Sequence, residues 1–362
     1  MSAIAAPIAF REHVIATDLK GGYQVIAVDI NHDGKLDLVA LASGMPELVW
    51  FENPTWERHV IAGGFTRMIN VVAVPVDGDP IPTLVLAHGF DNQAKNSVGN
   101  VSVLQHNGDP RGPWTVREID RLTTSHRLRL LNGVVVNAPL TGANAAAPDY
   151  RDQTPIVFYR PGVWKRETLS TENNGLVHGI FVDGHDLLTA GFEGIHRFHQ
   201  KNDGTWERTL ITRGDPTEWP KGGSSDIAIG HVRKPFIAAI EPWHGNQVVV
   251  YHQQGHHWVR FIIDPTLQDG HTILTADFTG DGRDEIVAGF RGPGRSVYIY
   301  TPADRSGTSW SRSSVDHGGI AAASCTAADL NGDGKLDLAC IGSATANLKW
   351  YENTGAVPVT FR

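Results

Sequence analysis

The chain has 362 residues, including 39 Gly and 20 Pro, and a formal net charge of −8 at pH 7. The acidic balance argues against a nucleic-acid-binding protein, because phosphate backbones need a basic surface. No apolar run approaches the roughly 20 residues that span a bilayer. We therefore expect a turn-rich protein with neither a nucleic-acid nor a membrane partner, while the sequence leaves its oligomeric state open.

Short apolar strands, polar turns and tryptophan-bearing strands recur along the chain. The recurrence predicts seven units of roughly 50 residues and four strands, the dimensions of β-propeller blades. The inner strands of these units are predicted to begin near Gly22, Met68, His126, His178, Ser225, His271 and Ala321. Six fourth strands begin with Trp and are predicted at 56–61, 114–119, 164–169, 206–211, 258–263 and 310–315.

The seventh copy of the fourth-strand pattern lies at the other end of the chain. Residues 10–15 have this pattern although no unit precedes them, and the last unit stops after its third strand at 347–353. Pairing the two termini in one sheet removes the exposed edges that a linear array would leave. The sequence therefore predicts an all-β fold, a single seven-bladed β-propeller domain over residues 1–362, with the ring closed by the N-terminal strand.

Two features at the ends of the chain bear on its location. Cys325 and Cys340 are the two cysteines and fall on neighbouring strands of the last unit, where we interpret them as buried free thiols rather than a bridge. Residues 1–7 lack the basic region and the long apolar core of a secretion signal. Together these features predict a cytoplasmic protein.

An Asp-rich turn occurs in units one, six and seven, each time between the first and second strands. Oxygen ligands at positions one, three, five and nine, with Gly at position six, are the layout of a calcium-binding loop. The alternative is that these side chains cap the turn's own backbone amides. We predict structural, calcium-like sites on one face of the ring, with the candidate ligands Asp29, Asn31, Asp33, Asp37, Asp277, Thr279, Asp281, Glu285, Asp329, Asn331, Asp333 and Asp337.

The opposite face carries the candidate active site, because the loops there line the mouth of the central channel. His126, His178 and His271 stand at equivalent places, where the chain enters the inner strands of units three, four and six. Neutral imidazoles suit a transition metal or a general base, and the sequence does not decide which histidine does which. The ends of the second strands add His88, Asn137, Glu193, Glu241, His244 and Arg291.

The repeats resemble the FG-GAP or VCBS propellers. Residues 271–292 and 177–181 are similar to the propeller portion of the fungal aldos-2-ulose dehydratase family, which also acts on 1,5-anhydro-D-fructose. The resemblance implies a lyase that eliminates water from a 2-keto sugar, with metal ions in the protein. The fungal enzymes carry cupin-like domains that are linked to a later isomerisation, and since this chain ends at Arg362 without them, the isomerase step is in doubt.

The residues suit such a dehydration. A carbonyl at C2 acidifies the C3 proton, a base removes it, and the resulting enediolate is stabilised while the C4 hydroxyl leaves. We expect His126, His178 and His271 to act as base or as ligands of Zn, Mg or Mn. We expect Glu241, His244 and Arg291 to contact the carbonyl or hydroxyl groups. The second-strand residues His88, Asn137 and Glu193 are candidates for substrate binding.

Two other classes of protein stay open. A carbohydrate-binding propeller without catalysis shares the fold, but its sites would repeat between blades with aromatic platforms. A polysaccharide lyase would need a long basic groove for uronate carboxylates. The candidate cations for such a groove, Arg127, Arg291 and Arg295, are few.

Overall fold

A computed structural model of the protein describes residues 8–356 and contains seven four-stranded antiparallel sheets. The innermost strand of each sheet contacts the innermost strands of both neighbouring sheets, so the sheets form a closed ring around a channel. The predicted seven-bladed, all-β propeller is confirmed. Its extension to residues 1–7 and 357–362 lies outside the described residues and stays a prediction.

In each blade the strands follow chain order from the channel to the rim, except that the rim strand of blade seven is the first strand of the chain. The closing strand is β1 (Ile8–Ala16). Blade one contains β2 (Gly22–Val28), β3 (Asp37–Ala42), β4 (Leu48–Glu52) and β5 (Glu57–Ala62). Blade two contains β6 (Asn70–Val76), β7 (Asp79–His88), a short 3₁₀ helix (Ala94–Asn96), β8 (Asn100–Gln105) and β9 (Thr115–Arg121).

The remaining blades repeat this order. Blade three contains β10 (Ser125–Leu131), β11 (Val134–Pro139), β12 (Gln153–Tyr159) and β13 (Arg166–Asn174). Blade four contains β14 (Val177–Asp183), β15 (Asp186–Gly191), β16 (Gly194–Gln200) and β17 (Trp206–Thr212). Blade five contains β18 (Asp226–His231), β19 (Pro235–Glu241), β20 (Gln247–Gln254) and β21 (His257–Asp264). Blade six contains β22 (Gly270–Ala276), β23 (Glu285–Phe290), β24 (Ser296–Pro302) and β25 (Trp310–His317), and blade seven contains β26 (Ala322–Ala328), β27 (Asp337–Gly342) and β28 (Leu348–Ala356).

The ring closes as predicted, because β1 pairs antiparallel with β28 from the other end of the chain. The apolar cores lie between neighbouring blades, and the second strands β3, β23 and β27 are buried along their whole length. After the first residue, the sequence of each of these strands is a continuous run of apolar or small residues, because both faces of the strand are covered. The core therefore fixes the inner strands, and their ends form the two faces of the ring.

The prediction of free thiols is wrong. Cys325 on β26 and Cys340 on β27 are register partners across the sheet and form a disulfide. The cysteines therefore no longer support a cytoplasmic location, and residues 1–7, on which the missing secretion signal depended, lie outside the described residues. Within residues 8–356, no helix is long and apolar enough to cross a membrane.

Candidate functional site

A β-bulge at the start of the inner strand recurs in five blades. The extra residues at these bulges are Tyr23, His126, His178, His271 and Ala323. A bulge leaves one residue without a partner on the adjacent strand and re-aims its side chain, and bulges are common next to active sites. The repeated bulge explains why residues from distant repeats meet at one end of the channel.

His178 lies at the centre of a cluster of four imidazoles. Its ring centroid is 5.0 Å from that of His126, 5.2 Å from that of His271 and 4.9 Å from that of His244. The centroids of His244 and His271 are 5.1 Å apart. His126, His178 and His271 are each only 1% exposed, so the cluster forms a buried layer across the channel.

The next blade orients two of these rings. The Nδ1–H of His271 donates to the Ala323 carbonyl at 2.6 Å. Nδ1 of His178 lies 3.2 Å from the carbonyl oxygen of Ser225, which sets the same tautomer. With the hydrogen on Nδ1, each Nε2 keeps its lone pair. Nε2 of His271 is buried and has no hydrogen-bond partner among the described residues.

His244 is positioned by a charged pair at the rim of the cluster. Its Nδ1 lies 3.2 Å from the Asp269 carboxylate and 3.2 Å from the Arg291 guanidinium, and Arg291 donates two hydrogen bonds to Asp269. Since a guanidinium can only donate, Nδ1 of His244 accepts from Arg291 and the hydrogen of this imidazole lies on Nε2. The Asp269 carboxylate could accept a hydrogen from Nδ1 instead if a metal occupied Nε2. That Nε2 lies 3.2 Å from Nε2 of His178.

Three histidines could therefore hold a metal. Among residues 8–356, the metal-ligating atoms of His178, His244 and His271 all lie within 4.8 Å of one another. The orphaned Nε2 of His271 and the Nδ1–H tautomers of His178 and His271 fit a metal that prefers imidazole, and His244 would join them with its hydrogen on Nδ1, facing Asp269. The sequence assigned the third position to His126, but Nε2 of His126 instead lies 2.9 Å from the Tyr23 hydroxyl.

The cluster is electrically neutral at pH 7. Burial lowers the pKa of His126, His178 and His271 well below the usual value of 6.5, and the nearby arginines Arg127 and Arg291 lower it further. Burial, reinforced by Arg291, lowers the pKa of His244 to about 3. Neutral imidazole is the form that binds a metal or accepts a proton.

A cavity of about 700 Å³ opens above this layer at the channel mouth. Phe90 and Trp243 supply its apolar walls, while Tyr23, His126, His178, His244 and Arg291 supply its polar floor. Two of the cations that line it are paired, Arg67 with Asp91 and Arg291 with Asp269. The cavity therefore offers oriented polar groups with little net charge.

Two predicted carboxylates point away from the cluster. Glu241 is fully buried within blade five, where it accepts hydrogen bonds from the Tyr251 hydroxyl at 2.6 Å and from Arg260 at 2.8 Å. Glu193 is bound by Arg208 and lies outside the lining of the mouth cavity. Both side chains turn toward the outer strands of their own blades, because the fourth strands β17 and β21 supply the arginines that neutralise them.

The structure does not bring two further predicted residues to the mouth cavity. His88 faces the Ser102 hydroxyl at 3.0 Å, and burial lowers its pKa to about 4. Asn137 is fully buried and donates to the Ser125 and Tyr159 hydroxyl groups. These residues hold neighbouring strands together, so the ends of second strands are a poor guide to the site.

Sequence reasoning missed Tyr23, Asp269 and Trp243. Tyr23 had a usable signal, because it occupies in blade one the place of the three inner-strand histidines. Asp269 and Trp243 had none, since they come from loops that approach the cluster through folding alone. The ring of Trp243 contacts that of His244 at a tilt of 43°, with ring centroids 4.8 Å apart.

The Asp-rich turns lie at the opposite ends of the inner strands, and their oxygens are largely used by the turns themselves. The Asp29 carboxylate accepts hydrogen bonds from the amides of Asp33 and Gly34, and Asp33 accepts one from Lys35. The turns at 277–285 and 329–337 repeat these contacts. The hydrogen bonds match the capping alternative, and calcium binding stays a prediction.

The carboxylate at the ninth position of each turn is buried and accepts hydrogen bonds from backbone amides. Asp37 is fully buried and accepts hydrogen bonds from the amides of Ile30 and Asn53. Burial, together with the charges of Asp29 and Asp33, raises its pKa to about 6. The side-chain amide of Asn53 donates to the Leu330 carbonyl of blade seven, so the turn helps to join two blades.

The fold and the site together define a seven-bladed propeller with a histidine-lined channel mouth, and comparisons with known proteins agree with the resemblance read from the sequence. Residues 98–254 match the family described as aldos-2-ulose dehydratase, beta-propeller domain, and residues 277–340 match the FG-GAP-like repeat. Aldos-2-ulose dehydratase from Phanerodontia chrysosporium is 27% identical over 293 residues, a match that covers 67% of this chain and 32% of that protein. The chain thus matches about a third of the length of this relative.

Solved structures agree on the fold. Two crystal structures of BBS1N in complex with ARL6DN, one soaked with mercury and one with lead, align with TM-scores of 0.60 and 0.61 over 99% of this chain. The alignments cover 99% and 98% of those chains. Sequence identity is 13% and 12%, so this likeness concerns the fold alone.

Proposed function

We propose that the protein is a sugar dehydratase that eliminates water from a 2-keto sugar such as 1,5-anhydro-D-fructose or glucosone. The observation that carries this proposal is the layer of neutral, oriented imidazoles at the floor of a cavity of about 700 Å³. The similarity to aldos-2-ulose dehydratase supports the reaction class. The substrate and mechanism are inferred from the chemistry of the site.

The charges of the cavity favour a neutral sugar over a uronate polymer. Arg67 and Arg291 are each neutralised by an aspartate at the rim, and Lys20 is the further cation that lines the cavity. Recognition of successive carboxylates by a polysaccharide lyase would require a longer run of unpaired cations. Hydroxyl and carbonyl groups, in contrast, match the uncharged donors and acceptors of the floor.

Proton transfer is assigned to His126 and Tyr23. With Nε2–H of His126 donating to the Tyr23 oxygen, Nδ1 keeps a lone pair that can accept the C3 proton. The C3 electron pair then forms the C3–C4 double bond as the C4–O bond breaks, and the Tyr23 hydroxyl protonates the departing hydroxyl to give water. The hydrogen bond between the two side chains passes the Nε2 proton of His126 to Tyr23, so both side chains are neutral again and His126 carries its hydrogen on Nδ1. Loss of the Nδ1 proton to water and reprotonation of Nε2 restore the starting tautomer.

Charge develops on the C2 oxygen of the substrate as the C3 proton leaves. Arg291 lines the cavity and can donate to this oxygen while Asp269 holds its guanidinium in place. A divalent metal held by His178, His244 and His271 would add Lewis-acid stabilisation of the same charge. The all-nitrogen donor set favours zinc over the magnesium and manganese that the sequence also allowed, since those ions prefer oxygen.

The proposal is tested by incubating the purified protein with 1,5-anhydro-D-fructose and, separately, with glucosone. We expect a conjugated enone to appear in the ultraviolet spectrum, and we expect a chelator to slow its appearance. Binding of either sugar without any enone would favour the carbohydrate-binding alternative. Release of unsaturated products from a uronate polymer, with no reaction of the small ketoses, would favour the polysaccharide lyase.

A further inference from the structure

A second cavity lies in the channel beneath the histidine layer. It measures about 220 Å³ and is lined by inner-strand residues of several blades, with Tyr23 belonging to both this cavity and the one at the mouth. Three charged side chains line it, Arg127 and Arg129 from β10 and Asp226 from β18. The proposed dehydration uses none of them.

Arg127 and Arg129 are held side by side. They are alternate residues of one strand, so they lie on the same face of the sheet, and both line the cavity. Arg127 is only 7% exposed and donates from Nε to the His178 carbonyl at 3.2 Å. Arg129 donates from Nη1 to the carbonyl oxygen of its neighbour Leu128 at 2.8 Å. Each contact uses one guanidinium nitrogen and so orients the group, while the other N–H donors of both guanidinium groups stay available at the cavity.

The positive charge in this cavity is not balanced. Among the residues that the structure describes, neither Arg127 nor Arg129 lies within ion-pair distance of a carboxylate. Asp226 acts on both arginines through its charge, but it accepts its hydrogen bond from the Ile227 amide at 3.1 Å. Burial and the charge of Arg127 lower the pKa of Arg129 to about 10. Two guanidinium cations and one carboxylate leave a net charge of +1 in this part of the channel, where Arg127 is buried and Arg129 and Asp226 are half-buried.

A buried charge without a counter-charge is costly, and a mobile ion can remove that cost. We propose that the channel binds a small monovalent anion, of the size of chloride, between the guanidinium groups of Arg127 and Arg129. One such ion brings the cavity to neutrality, whereas a divalent anion would reverse the imbalance. Tyr23 and His271 also line this cavity, but the inference does not depend on the sugar chemistry, because the proposed dehydration uses neither arginine.

Chloride itself is the probe. The line width of the chloride NMR signal should broaden in the presence of the intact protein, and the broadening should saturate as chloride is added. In Arg129→Gln, which removes one cation without removing the side chain's bulk, we expect about tenfold weaker binding, because a charged partner of the ion is lost. Arg305→Gln, a change of an exposed cation in a distant surface groove, is the matched control and should leave the broadening unchanged.

Crystals soaked in bromide provide a readout that does not depend on any variant. An anomalous peak between Arg127 and Arg129 is the expected result. The proposal is overturned if wild-type protein gives no saturable broadening and no bromide peak in the channel, or if folded Arg129→Gln binds chloride as tightly as wild type. If Arg129→Gln does not fold, the bromide position in wild-type crystals decides alone.

Discussion

The two ends of the inner strands use repetition differently. At the Asp-rich end, blades one, six and seven carry nearly the same residues, and the carboxylates accept hydrogen bonds from nearby backbone amides. At the histidine end, the five equivalent bulge positions carry three histidines, Tyr23 and Ala323, and buried ring nitrogens of His126 and His271 have no hydrogen-bond partner among the described residues. Repeated polar residues with satisfied atoms indicate structure, whereas converging polar residues with unsatisfied atoms indicate a site.

Both ends depend on the closed ring, so opening it should give the largest effect. Deleting residues 1–16 removes β1 and exposes β28 as an unpaired edge. It also removes Glu12, which pairs with the nearly buried Lys349 at 3.0 Å. We expect aggregation, or a loss of unfolding free energy of about 5 kcal/mol or more.

Thermal melting and size-exclusion chromatography measure this change. Deletion of residues 1–7, which leaves β1 whole, is the control and should behave as the full chain does. A soluble 1–16 truncation with an unchanged melting curve would contradict the terminal pairing.

Changes at the histidine end should separate proton transfer from metal binding. We expect His126→Ala and His271→Ala each to reduce turnover by about 10²-fold or more, the scale for losing an acid–base group or a metal ligand. His271→Ala should also lose metal on elemental analysis, whereas His126→Ala should retain it, because His126 is bonded to Tyr23 instead.

The control for these variants is His256→Ala, since His256 is exposed in a surface turn. His59 is less suitable, because it stacks on Trp50 and lies 2.8 Å from Glu52. Loss of metal in His126→Ala, with full metal content in His271→Ala, would reverse the two assignments.

The fold was predictable from the sequence to a much greater extent than the site. Strand periodicity, the Trp pattern and the unmatched segment at Phe10 all report local or repeated backbone preferences, and these determined the blades and the closure. The disulfide was not predicted, because two cysteines on neighbouring strands pair only if the register aligns them, as it aligns Cys325 and Cys340.

Within the site, the repeat predicted which strands supply histidines but not where side chains point. Equivalent inner positions share a bulge, and so His126, His178 and His271 converge. Glu241 and His244 come from one short segment and were equivalent candidates in the sequence. Glu241 turns outward to Arg260, while His244 turns inward to His178. Such choices depend on partners from other strands, which a single sequence does not reveal.

The buried imidazoles should make stability depend on pH. Their pKa is lowered in the folded protein, while unfolded histidine keeps a pKa near 6.5. As the pH falls below about 6.5, the unfolded state gains protons first, so the free energy of unfolding should fall by up to about 1.4 kcal/mol per pH unit for each such histidine. Stability should be independent of these groups above that pH.

Urea unfolding of metal-free protein between about pH 7.5 and pH 5 measures this slope. His126→Gln removes one titrating group and should show a shallower slope, whereas His256→Gln should keep the slope of wild type. An unfolding free energy that does not change between about pH 6.5 and pH 5 would show that the folded histidines take up protons as readily as the unfolded ones and would contradict their lowered pKa.

The smallest effect is expected at the Asp-rich end, where the question is whether an ion adds to the capping hydrogen bonds. Asp33→Asn keeps an oxygen that can accept from the Lys35 amide, as Asp33 does at 2.9 Å, but removes a charge that calcium would require. If the turn binds calcium, wild-type protein should gain about 1 kcal/mol of stability when calcium is added, and Asp33→Asn should gain less. If the turn is only capped, the two proteins should melt alike with and without calcium.

Turnover should stay within about twofold of wild type in either case, because the turn lies at the other end of the inner strand from the histidines, roughly 20 Å away along a seven-residue strand. A large loss of turnover in folded Asp33→Asn would place the active face at the Asp-rich end and would overturn the contrast between the two ends.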